Sequence, residues 1–169
     1  MIEPNCISIL KPATVAQIKK ELKFRSSEEL ETLCLRLARF KKENKEVLTY
    51  LLFESDDEEA YVRQVKEHID AGFSAINTAS FYYVKKSIRK ILRETKKYIR
   101  YSPVKETEVE LLLYFCEVLS EFKPSIKNSV TMMNVYRRQL DLIQKKTTAL
   151  HEDLQYDYQI EIEALLRFA

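Results

Sequence analysis

The sequence predicts an all-α protein: one domain, residues 1–169, of six to eight antiparallel helices, arranged as an irregular array of helical hairpins or as a compact multi-helix bundle. Three observations predict it. One glycine and four prolines in 169 residues leave too few turn glycines for a β-rich or α/β fold. Apolar residues recur at spacings of three and four along most of the chain, the period of a helix with one buried face. Short polar or proline-bearing links separate these runs, which forces sequential helices to be neighbours. A content of 46% hydrophobic and 32% charged residues fits a folded chain with a single core.

Residues 1–12 read as irregular, with Pro12 near the first helical position. A short helix follows over Ala13 to Phe24, with Val15, Ile18 and Leu22 inward, Lys19, Lys20 and Lys23 outward, and Thr14 as its cap. Ser26 to Glu29 has the spacing of a capping box, in which hydroxyl and carboxylate each satisfy the other's backbone donor. The helix it starts carries Leu30, Leu33, Cys34, Leu37 and Phe40 on one face. A basic interruption, Lys41 to Lys45, implies a break near Asn44. After it Val47, Leu48, Leu51, Leu52 and Phe53 are dense enough to predict a central segment.

The acid cluster Glu54 to Glu59 suits the positive end of the next helix. That helix lines up Tyr61, Val62, Val65, His68, Ile69, Gly72, Phe73 and Ile76, and Gly72 permits close approach of a neighbour. Asn77, Thr78 and Ser80 are caps for the helix Phe81 to Tyr101, the stretch around which the chain reads as organised. Pro103 ends it. The next helix, from Val104 or Lys105 to Phe122, turns Val109, Leu112, Leu113, Cys116, Leu119 and Phe122 inward.

From Ser125 the pattern predicts a long C-terminal helical segment over 125–169. In it Met133, Tyr136, Leu140, Ile143, Thr147, Leu150 and Leu154 form a heptad seam. Packing onto the protein's own helices is the first reading of that seam. Self-association into a homo-oligomer is the second, with Met133, Tyr136, Leu140, Ile143, Leu150 and Leu154 as the contact. The hairpin array would be superhelical in the manner of HEAT or TPR proteins, but no repeat of 34 to 47 residues is present.

The chemistry-bearing residues are sparse. A single glycine excludes the usual phosphate-cradling loops. His68 and His151 are isolated, and the stripe Asp153, Asp157, Glu161 is an ordinary solvated face unless another helix adds ligands. Neither Cys34 nor Cys116 has a base at a catalytic spacing, and three widely spaced cysteines with Cys6 do not form a disulfide framework. No catalytic residue, cofactor site or metal site is therefore predicted. The start, MIEPNC, lacks a basic segment followed by an apolar run, and no stretch nears 18 apolar residues, so the expected location is the cytoplasm and no integral membrane span is expected.

Charge is the strongest functional signal. The net is only +2, yet successive blocks of the chain alternate in sign, and residues 81–105 hold nine basic groups against one acid. Winding Phe81 to Tyr101 at about 100° per residue places Lys85, Lys86, Arg89, Lys90, Arg93, Lys96, Lys97 and Arg100 within roughly 140° of arc. The expectation is a non-enzymatic interaction or scaffold domain whose cationic face meets an acidic protein. A nucleic acid is the alternative partner, with phosphates on the cations and Tyr82, Tyr83 and Tyr101 stacking on bases. Acidic flanks and a pI of 8.3 weigh against it.

Overall fold

The computed structural model describes residues 11–169, so the expectation for residues 1–10, Cys6 included, lies outside the described residues. The described chain is helical, and no strand occurs in it. It divides into two units, 11–48 and Thr49–Ala169.

The first unit holds α1 (Val15–Leu22), α2 (Ser27–Phe40) and the body of α3 (Lys42–Thr49). Thr14 caps α1 in a capping box closed by Gln17, so the helix starts two residues later than the apolar pattern suggests and Pro12 precedes the cap. Ser26 and Glu29 form the expected box on α2. The break falls at Lys41, whose backbone is extended, and Asn44 does not cap the new helix. Its side-chain Nδ2 donates to the Leu37 carbonyl at 2.9 Å and satisfies an orphan acceptor of the old one. Neither α1 nor α2 buries a single residue, so their apolar stripes are not core.

The second unit is a multi-helix bundle of α4 (Glu58–Ser74), α5 (Phe81–Ile99), α6 (Lys105–Glu121), α7 (Val130–Thr147) and α8 (Glu152–Leu166). The sequence singles out α5, yet α6 is the hub: α4, α5, α7 and α8 all pack on it. Leu111 and Phe115 are buried along with Leu112, Leu113 and Cys116, so α6 is covered well beyond the one inward face its sequence shows, and only Lys105, Glu117 and Glu121 are exposed. Gly72 of α4 does serve close approach, since a Cβ there would lie 3.0 Å from Ile91 Cγ1 of α5.

The dense apolar run before α4 behaves differently from expectation. Tyr50–Glu54 is a π-helical turn, and its wider winding turns Tyr50 inward onto Tyr61, ring centroids 4.6 Å apart. Leu51, Leu52 and Phe53 are exposed, Phe53 by 79%. In the acid cluster, Asp57 caps α4 by accepting from the Ala60 amide, while Glu58 turns inward. Its carboxylate accepts from Tyr50 at 2.8 Å, from Ser102 at 2.5 Å and from the buried Thr107 hydroxyl. One side chain thus ties the π turn, the α5–α6 link and α6 together. Glu58→Ala strands these hydroxyls and is expected to cost about 2–3 kcal/mol in urea denaturation followed by circular dichroism. Glu58→Gln, which keeps an acceptor oxygen, is expected to recover part of it.

The C-terminal segment is two helices rather than one. Thr147 and Thr148 bond back to the carbonyls of Ile143 and Lys145, and His151 caps α8, so the chain breaks between them. Leu150 is buried in that link, which lets the heptad spacing continue across the break.

Candidate interaction face

The helix α5 opens at Ser80, whose hydroxyl accepts from the Tyr82 amide. It lays Val84, Ile88, Ile91 and Thr95 against the core. Because these four sit at helical spacing, the cationic arc points outward. Lys86, Arg89, Lys90, Arg93 and Arg100 are exposed, and Lys85, Lys96 and Lys97 are half-buried. The ammonium groups of Lys85 and Lys97 lie 5.9 Å and 4.5 Å from the rings of Phe81 and Tyr98. All eight predicted residues therefore share one face.

Two acids of α6 are committed to other helices. Glu108 of α6 pairs with Lys146 of α7 at 2.7 Å, and Glu110 pairs with Lys66 of α4 at 2.6 Å. Around Lys66 the acids Glu110, Glu117, Asp157 and Glu161 line a groove of about 340 Å³ with Tyr114 and Tyr158. Partial burial and the neighbouring Glu117 hold the Glu161 carboxyl above its ordinary range, partly offset by Lys66. Glu94, the one acid of α5, is taken by His68 at 3.2 Å and lies 3.9 Å from Lys90. Lys86, Arg89 and Arg93 make no ion pair with the described acids.

Of the tyrosines beside the arc, Tyr82 and Tyr83 are 68% and 49% exposed, but Tyr101 is buried and cannot stack on a base. The heptad seam is spent inside the molecule: Met133, Tyr136, Leu140, Ile143 and Leu150 are buried and Leu154 is half-buried, with α7 against α6 and α8. Tyr136 also donates to the Leu165 carbonyl of α8 at 2.9 Å. These side chains are occupied by the chain's own helices. Lys66 and Tyr114, which organise the acidic groove, carried no sequence signal because only the packing of α4 on α6 brings them together.

Cys116 is fully buried, and burial pushes its thiol up to about 12, far from a nucleophile's range. Among the described residues, no three His, Cys, Asp or Glu side chains gather as a metal site would require. No helix of the described residues is long and apolar enough to cross a membrane. No protein family, no curated protein and no solved structure matches this chain.

Proposed function

We propose that this protein is a non-enzymatic helical interaction module that docks an acidic partner protein on the cationic face of α5, in a cytoplasmic setting. The observation that carries the reading is the disposition of the acids. Glu108 and Glu110 are committed to α7 and α4, which leaves Lys86, Arg89 and Arg93 exposed along one side of a rigid helix. Cations at this spacing suit a partner helix or strand with a row of carboxylates, and steer it to the surface by long-range attraction. The exposed pair Tyr82 and Tyr83 favours a second reading, a single-stranded nucleic acid held by phosphate contacts and stacking.

Fluorescence anisotropy separates the two. A labelled oligoglutamate peptide and labelled single-stranded and duplex oligonucleotides are titrated with the protein at about 50 and 200 mM salt. The expected result is that the peptide binds more tightly than either oligonucleotide at both salts. Preference for the single strand transfers the face to nucleic acid, and failure of all three probes at low salt removes the reading.

A further inference from the structure

The first unit carries exposed apolar side chains along both α1 and α2. Val15, Ile18, Leu22, Phe24, Leu33, Leu35, Leu37 and Phe40 are 40% to 82% exposed.

The surface has a shaped centre and a charge pattern. A groove of about 650 Å³ opens between α1 and α2, with Ile18, Leu22 and Leu33 at its floor. Glu21, Glu28 and Glu29 line its rim with Arg25. Arg25 is paired with Glu29 at 3.2 Å, and Glu29 also accepts from the Ser26 amide, so the carboxylates left to face an occupant are Glu21 and Glu28. The groove therefore asks for a short helix with an apolar stripe edged by lysines. This chain contains one: α1 itself, whose Val15, Ile18 and Leu22 are bordered by Lys19 and Lys23.

We propose that the chain forms a twofold homodimer through its first unit, each copy laying α1 into the α1–α2 groove of the other, with Lys19 and Lys23 against Glu21 and Glu28. Such a contact is self-complementary, as a twofold interface must be. It replaces the α7 seam, which is used within the chain, as the surface for self-association.

Sedimentation of the full chain from about 1 to 100 μM tests it, the range in which an interface of standard size and modest packing is read. The expected mass is twice the 20.0 kDa of the chain. Ile18→Glu and Leu33→Glu are each expected to raise the dissociation constant at least tenfold while the melting of the second unit is unchanged. A charge exchange fixes the occupant. The K19E/K23E chain and the E21K/E28K chain are each expected to be monomeric, because like charges then meet, and mixing them is expected to restore the dimer mass. All four charge sites are exposed, so these variants keep their fold. A wild-type monomer at the highest concentration overturns the proposal, as does a dimer indifferent to Ile18→Glu and Leu33→Glu, or a mixture that fails to re-associate.

Discussion

Replacing Phe115 by alanine lowers the unfolding free energy of the Thr49–Ala169 unit by about 3–5 kcal/mol, the largest effect expected of any single truncation in the molecule. Phe115 is fully buried at the middle of α6, and its ring lies 5.7 Å from that of Phe73 on α4. A truncated side chain costs most where its surroundings cannot collapse into the space. Four helices lean on α6, and none can move into the void without parting from another. Since domains of this size are stable by about 5–15 kcal/mol, the loss is a large share of the total. Urea denaturation followed at the helical band should show the midpoint falling with the slope unchanged. Phe53→Ala, at a side chain 79% exposed, is the control and should move stability by no more than about 0.5 kcal/mol. A loss under about 1 kcal/mol at Phe115 would falsify the picture of an enclosed α6.

The K86E/R89E/R93E chain should lose binding to the oligoglutamate probe by roughly 30- to 150-fold at low salt, with its melting unchanged. Each reversal exchanges an attraction of up to about 1 kcal/mol for a repulsion, and three together give about 2–3 kcal/mol. These sites are chosen because all three side chains are exposed and none is engaged by Glu94. Residual binding should also become less sensitive to salt, because fewer cations take part. If the triple reversal unfolds the protein instead, the arc is a counter-charge for the fold and the docking reading fails.

The all-α class and most helix ends were legible because their causes are local. A hydroxyl with a carboxylate or amide three residues on, as at Thr14 and Ser26, closes a cap whatever surrounds it, and Pro103 stops a helix by its own sterics. The cationic face was legible for the same reason, since the spacing of Lys86, Arg89 and Arg93 survives any tertiary arrangement. What depends on packing was not. Leu51, Leu52 and Phe53 look like core by composition, yet a π turn, which leaves no periodic signature in five residues, hands that place to Tyr50. The reach of the α7 seam past Thr147 was overread because Leu150 keeps the heptad spacing while lying in a link. The primacy of α6 was missed because the inward face read from Val109 to Leu119 leaves out Leu111 and Phe115, which other helices bury on its further side.

That hub also governs how the molecule comes into being. The helices that enclose α6 are the two before it and the two after it in the chain, so the core is assembled from near neighbours in sequence. Little loop entropy is spent in closing such contacts, and chains of this kind collapse quickly. During synthesis α4 and α5 leave the ribosome with their apolar sides waiting, α6 supplies the surface they share, and α7 and α8 seal it from the other side.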